Sequence, residues 1–259
     1  NRLPDGAGKG GVSVAAGATL NLAGYSETVN GLDGAGTVDN TGASAATLTI
    51  GAGDSAGAFS GAIQDAGGNL SLVKTGSGTL TLSGTNTYAG TTTVSGGTLG
   101  AYGGMAIPDV SAVSLANTSG VALTLGSSEA IGSLAGGGTT GGNISLDSNT
   151  LTINQSATAT YGGVISGAGG SLVKAGTGTL TLGNNASSFS GDLTVSAGTL
   201  ATGTSAGGGT NGYLGAVNGS RTITVGAGAT LSFLANNQFG GSGKNAAGIP
   251  TVVVNGGTL

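Results

Sequence analysis

The sequence predicts an all-β chain folded as a right-handed parallel β-helix, a solenoid, and three observations carry that prediction. Apolar–polar–apolar triplets such as Leu80-Thr81-Leu82 recur along the whole chain between Gly-rich segments. Two-residue alternation puts Leu80 and Leu82 on one face of a strand, with Thr79 and Thr81 on the other. A long ordered pattern returns: the stretch from Leu72 to Leu99 reappears from Leu172 to Leu200, with one residue inserted near Asn184. Strand pairs also recur every ~20 to 25 residues, which is a solenoid period. A unit that small cannot bury its own apolar face, so neighbours must stack to make a core. Right-handedness is the expectation for parallel crossovers.

In order, Val12-Ser-Val14 and Leu20-Asn-Leu22 read as short strands, followed by Glu27 to Leu32, Gly34 to Val38, Leu48-Thr-Ile50 and Phe59 to Ile63. The long pattern at Leu72 to Leu99 comes next. Val113-Ser-Leu115, Leu123-Thr-Leu125, Glu129 to Leu134, Leu151-Thr-Ile153 and Tyr161 to Ile165 repeat that order, at offsets of 100 to 103 residues. A further copy opens at Ile223-Thr-Val225 and Leu231-Ser-Phe233. We therefore expect one β-helix over 1–259, with super-repeat copies at about 12–100, 113–201 and, in part, 222–259. One coil per interval predicts about 11 coils and, at ~4.8 Å per stacked strand, a rod ~50 Å long. Loops or edges are expected at 1–10, 206–215 and 236–248. No ten-residue stretch combines 3.6-residue periodicity with helix formers, so no helix is expected.

Composition narrows the class. The 259 residues include 58 Gly, 3 Pro, 16 charged residues and no Cys, His or Trp. Without a strict Gly-X-Y period and with so little Pro, a collagen triple helix is out. Apolar residues at 37% in regular alternation argue against disorder. A net charge of −4 with scattered cations argues against a nucleic-acid partner. Lack of His and Cys removes the commonest metal ligands and His-based triads. Asn1 to Asp5 has no apolar signal region, and no run approaches membrane-spanning length. Nine Tyr and Phe in all are too few for the aromatic girdles of an outer-membrane barrel. Because the pattern is under way at both ends, with Asn255 to Leu259 resembling another unit starting, the chain is expected to be a fragment of something longer.

The stretches at 72–99 and 172–200 resemble the autotransporter-associated β-strand repeat, also called the passenger-associated transport repeat. The matching features are Leu72 to Leu82, Tyr88 with Gly90, and Leu99; in the second copy they are Leu172 to Leu182, Phe189 with Gly191, and Leu193 to Leu200. The resemblance implies the passenger part of a type V secreted protein. That is a surface-exposed or secreted β-helix on the outer side of a Gram-negative outer membrane, exported through its own C-terminal translocator barrel. It implies repeats that aid secretion and folding, and an adhesin or stalk with two kinds of partner: identical passengers, and host or glycan surfaces.

Candidate chemical sites are few. Gly6-Ala-Gly8-Lys-Gly-Gly11 and Gly136-Gly-Gly138-Thr-Thr-Gly141 satisfy G-x-G-x-x-G, but chance gives about three such matches in a chain this rich in Gly. Gly240-Gly-Ser-Gly243-Lys-Asn245 echoes one calcium-binding nonapeptide, without the tandem copies such sites need. Asp33 and Asp54 lie one coil apart, with Asp39 and Asp65 extending the set, and stacked carboxylates would suit a polysaccharide-acting β-helix. Each also sits in an ordinary turn setting, where Asp caps its own backbone. We therefore expect no catalytic, cofactor-binding or metal residues and no enzyme. The alternatives are that Asp-based enzyme and a ligand-free spacer. Lys74 and Lys174 match, as solvated strand ends; Glu27 and Glu129 match, at one turn of the coil. Tyr88 and Phe189 are expected to cap or fill the rod, and Asn117 and Asn154 fall in sequons that a Ser- and Thr-rich chain generates freely.

Overall fold

Inward Leu, Val and Ile at every second position, with Gly-rich corners between short strands, produce a chain that coils upward on itself. The computed structural model describes residues 3, 5, 6, 9–204, 211–216, 220–234 and 250–259. Among the described residues there is no helix; the structure is a β-solenoid of parallel sheets, about nine turns tall. The first coil holds β1 (Val12–Val14), β2 (Thr19–Asn21) and β3 (Glu27–Val29). The second holds β4 (Leu32–Gly34), β5 (Thr37–Asp39) and β6 (Ala46–Ile50), and the third β7 (Gly57–Phe59), β8 (Ala62–Gln64) and β9 (Leu70–Lys74). Two coils follow with two strands each: β10 (Thr79–Leu82) with β11 (Thr92–Val94), then β12 (Thr98–Ala101) with β13 (Ala112–Leu115).

Three-stranded coils then resume. They are β14 (Ala122–Leu125), β15 (Glu129–Ile131) and β16 (Ser133–Gly136); β17 (Asn143–Ser145), β18 (Thr150–Asn154) and β19 (Ala159–Tyr161); and β20 (Ile165–Ser166), β21 (Ser171–Ala175) and β22 (Thr179–Leu182). Above them lie β23 (Leu193–Val195) and β24 (Thr199–Thr202). A small antiparallel pair follows, β25 (Asn211–Gly212) with β26 (Gly215–Ala216), then β27 (Thr222–Val225), β28 (Thr230–Ser232) and β29 (Thr251–Val254).

These strands make three faces. The first runs β1-β4-β7-β10-β12-β14-β17-β20, and the third runs β3-β6-β9-β11-β13-β16-β19-β22-β24-β28. The second face begins as β2-β5-β8 and resumes as β15-β18-β21-β23-β27-β29. Between those two sheets a few bonds carry the ladder, with Asn86 Oδ1 accepting the Ile63 N–H and Asn86 Nδ2 donating to Ala106 O. Thr87 N–H donates to Ile63 O, Asn86 N–H to Met105 O, and Ile107 N–H to a carboxylate oxygen of Glu129. Ten stacked strands on the longest face make about 45 Å of rod at the usual strand spacing. That is slightly shorter than the ~50 Å expected from 11 coils, because ten stacked strands are separated by nine steps.

The core is a set of vertical apolar rows. On the first face Leu80, Leu99, Leu123, Ile144 and Ile165 are in register and fully buried. On the second, Leu151, Leu172, Leu193 and Ile223 do the same. Each such side chain contributes roughly 1.5–3 kcal/mol by leaving water. Gly at the corners lets coils approach this closely. Gly76, at φ +66°, sits where a Cβ would lie 2.0 Å from the Gly51 carbonyl of the coil beneath.

Strands that the sequence aligns across copies do not share a face. β1 lies on the first face, β13 on the third and β27 on the second. Likewise β9 and β10 occupy the third and first faces, whereas their counterparts β21 and β22 occupy the second and third. About 100 residues therefore advance the chain by four coils and two faces. The loops expected at 236–248 and 206–210 lie outside the described residues, as does the nonapeptide echo at 240–245; residues 211–216 form the β25–β26 pair.

Candidate functional site

The lysine of each repeat is the first site the structure defines. In β9 the inward positions are Leu70, Leu72 and Lys74, so the lysine enters the rod in phase with the leucines. Lys74 is fully buried, and its Nζ donates to Thr75 O (2.6 Å) and Gly76 O (3.0 Å) in its own corner and to Gly96 O (3.1 Å) one coil above. Lys174 is also fully buried and donates to Ala175 O (2.7 Å), Gly176 O (2.9 Å) and Ala197 O (3.1 Å). The expected solvated strand ends are instead buried clamps between successive coils. Burial draws the Lys174 ammonium down to about 8; Lys74 is lowered too, by burial against the opposing pull of Asp54.

The acidic candidates are staples between coils. Asp33 Oδ1 accepts the Ala58 N–H (2.9 Å), Asp54 Oδ1 the Ser77 N–H (2.6 Å), Asp39 Oδ1 the Ala66 N–H (3.0 Å), and Asp65 Oδ2 the Leu70 and Ala89 N–H groups. Asp33 and Asp54 do not stack. Gly34 pairs with Phe59, so Ala58 lies over Asp33, whereas Asp54 occupies a corner at φ +62°. Asn117 accepts from Thr140 and Gly141, and Asn143 from Val164, in the same manner. Lys9 lies near the foot of the rod, where its carbonyl accepts from Asn30, and Gly136 and Gly137 turn the chain at the end of β16. Among the described residues, neither G-x-G-x-x-G segment opens a helix.

The aromatic positions fill the rod, as expected, but the two copies solve the packing differently. Tyr88 O–H bonds Thr92 Oγ1 (2.7 Å), Thr92 bonds Ser111 Oγ (2.8 Å), and Ser111 donates to Gly90 O (2.8 Å). Since the Ser111 proton is committed to Gly90, the chain of donors runs from Tyr88 through Thr92 to Ser111. In the second copy Phe189, Leu193 and Arg221 take those places. The guanidinium sits 4.8 Å from the Phe189 ring centroid, and its Nη1 donates to Ala216 O (3.2 Å). A hydrogen-bonded chain is thus exchanged for an apolar pair capped by a cation.

Where the second face is interrupted, the chain from Tyr102 to Val110 stays buried at Ala106, Ile107 and Pro108 and borders a cleft of about 360 Å³. Gly104, Met105, Asp109, Ser128, Glu129, Ala130, Thr150 and Thr152 line it. Glu129 points inward and is 3% exposed; its Oε1 accepts the Ile107 N–H (2.7 Å), while its Oε2 has no partner. Desolvation raises its carboxyl to about 7 against the Ile107 and Ala106 N–H groups, which favour the charged form, with a smaller upward push from Asp109. Glu27, its match in the first copy, accepts the Leu3 N–H (3.0 Å). Both glutamates hold the residue before a Pro-Asp pair, Leu3-Pro4-Asp5 and Ile107-Pro108-Asp109, but β3 lies on the third face and β15 on the second, so they share this partner and not the one turn of the coil that their matching implied. Tyr102, half exposed, lies across Gly100 and Gly126; a Cβ on Gly126 would fall 2.0 Å from its Cδ1. The cleft went unread in the sequence. Its signal was the 102–110 stretch, which breaks the strand pattern while carrying Tyr, Met, Pro and Asp. Among the described residues, no group of three or more acidic side chains is placed to hold a metal ion.

Known proteins bear out the class that the fold and its clamped repeats define. The family model of the passenger-associated-transport repeat matches residues 72–101 and 172–201, the two segments that carry the lysine clamps. The chain thus carries two passenger-associated-transport repeats, one in each of those segments. It is also 44% identical over 92 residues to the BmaC autotransporter adhesin of Brucella suis biovar 1 (strain 1330), a match covering 34% of this chain and 3% of that protein. No solved structure matches.

Proposed function

We infer that the chain is a stretch of the shaft of a cell-surface or secreted adhesin, and that its repeats help the passenger fold as it emerges from its own C-terminal translocator barrel. The observation that supports this most is the rod with its outward rows, mostly of Thr and Ser and broken by single apolar residues such as Val73. On the third face Thr28, Thr49, Val73, Thr93 and Ser114 stand one above another at strand spacing. Such a row makes many weak contacts rather than one strong one, so adhesion grows by avidity, to host or glycan surfaces or to an identical rod.

The repeats suit their folding role because each pairs with itself. β9 stacks under β11 and β10 under β12; β21 stacks under β23 and β22 under β24. Each repeat is a two-coil unit closed over a short stretch of chain, with a lysine clamp across its own two coils. Local pairing of this kind forms early and offers an edge on which the next coil stacks.

The test is a comparison of cells displaying the full passenger with cells lacking 1–259, scored for adherence and clumping at equal surface amount. Loss of either supports the adhesive shaft. Unchanged adherence with less passenger on the surface replaces it with a ligand-free spacer. One observation favours that second reading: the corner carboxylates and amides are already engaged in coil-to-coil bonds.

A further inference from the structure

The first face carries an aromatic ring laid flat on its outer surface. Leu99 and Ala101 of β12 face the core, so Gly100 and Tyr102 face outward. Register fixes their neighbours: Thr81, Gly100 and Thr124 form one outward row, and Ser83, Tyr102 and Gly126 continue the next. A Cβ on Gly100 would fall 2.9 Å from Tyr102 Cε2, and one on Gly126 2.0 Å from Cδ1. Opposite edges of the ring therefore rest on the two glycines, with one ring face against the sheet and the other towards solvent; Tyr102 is 51% exposed. The rod buries Phe59, Tyr88, Tyr161, Phe189 and Tyr213, so an outward ring is an exception. The hydroxyls of Tyr102, Thr81, Ser83 and Thr124 have no partner among the described residues. Covering two glycines needs only an apolar side chain, and a phenol flanked by three free hydroxyls exceeds that need.

We propose that Tyr102 is a stacking platform for one pyranose ring of a neutral saccharide, a glycan site that rests on the adhesive reading above. A pyranose matches the phenol in size, and its axial C–H bonds lie on the electron-rich face of the ring. Its rim of hydroxyls both donates and accepts, as do those of Thr81, Ser83 and Thr124. None of the six outward positions carries a charge, and that separates the possible occupants. A nucleotide stacks on a phenol as well, but its phosphate calls for cations. An apolar side chain from a protein partner would cover the ring and leave the hydroxyls beside it dry and unpaired, which is costly. An extended peptide finds no edge to join, because β10 and β14 already pair both sides of β12.

The experiment is saturation-transfer NMR on the purified chain, with methyl β-glucoside, methyl β-galactoside and cellotetraose as probes. Saturable transfer to at least one probe is expected, strongest at the hydrogens on one face of a pyranose. Tyr102→Ala should weaken binding about tenfold, the scale of a lost stacking contact. Tyr102→Leu should do the same while keeping the glycines covered, so the test survives if the alanine variant loosens the sheet. Tyr102→Phe should lose no more than about threefold, and Thr124→Val about threefold, since each removes one hydroxyl and keeps the shape. No saturable transfer from any of the three probes, or unchanged binding in Tyr102→Leu, overturns the proposal. So do Tyr102 amide shifts that follow protein concentration without sugar, which would give this face to a second copy. Binding is read on the isolated chain. Its failure alongside lost adherence in cells lacking 1–259 removes this site alone; binding alongside unchanged adherence keeps the site and removes the adhesive shaft.

Discussion

Lys174 and Glu129 are buried ionisable groups whose protons are linked to folding in opposite senses. The Lys174 value falls from 10.5 in the open chain to about 8 in the rod. Between those values the unfolded chain binds more protons, so stability rises as pH goes from 8 towards 10. Lys174→Met should flatten that rise, measured as urea midpoints at pH 8 and pH 10. Above pH 10 the buried Tyr88 and Tyr161 hydroxyls, raised by desolvation, reverse the trend. Glu129 is raised from 4.5 to about 7, so its contribution is complete below pH 4.5 and is lost as pH climbs through 7. Glu129→Gln should remove that loss, seen as equal midpoints at pH 5 and pH 8 from this group. Both burials were legible by parity: Lys74 stands two residues from Leu72, and Glu129 two from Ile131. Composition alone argues for solvated charges, and parity outranks it wherever a strand is short and its far end closes a corner.

At the scale of the element, the unit is a pair of coils held by close backbone approach and one filled aromatic position. Gly76→Ala adds a Cβ 2.0 Å from the Gly51 carbonyl at a φ that L-residues avoid. It should cost more than about 2 kcal/mol, with both coils of the first repeat losing amide exchange protection together. Phe189→Ala empties a fully buried site and strips the ring from beneath Arg221, a loss of about 3–5 kcal/mol in chemical denaturation. Tyr88→Phe removes only the first donor of a chain of three and should cost about 1 kcal/mol. The exchange of Tyr88, Thr92 and Ser111 for Phe189, Leu193 and Arg221 was not visible in sequence. Ser111 and Arg221 stand 23 and 32 residues beyond their aromatic partners, and only coil stacking brings each pair together.

Across the whole molecule, the super-repeat turns as it climbs. Thr81 and Thr181 occupy the same place in their repeats yet lie on the first and third faces. Thr93 and Thr181, unrelated in the repeat, stand in one row four strand steps apart. Spin labels on cysteines at 93 and 181 should report about 19 Å between backbones, four steps of strand spacing. A label at 81 in place of 93 should read longer and broader, and a single sharp distance near 19 Å for the 81/181 pair would refute the rotation. A straight partner lying along the rod cannot therefore meet equivalent patches of successive copies; it meets a different part of the pattern on each.

Period, alternation and Gly spacing by themselves determined that this chain is a stacked parallel β-solenoid with one long segment repeated. Those features are local, and a strand's inward set follows from parity whatever lies above it. Tertiary structure alone decided which face each copy occupies, which carboxylates staple which coil, and where the second face opens into a cleft. Those depend on the residues spent at each corner, and a few more or fewer per coil accumulate over four coils into a two-face turn. Repetition in the sequence specifies the step, and only the stacked coils specify where each step lands.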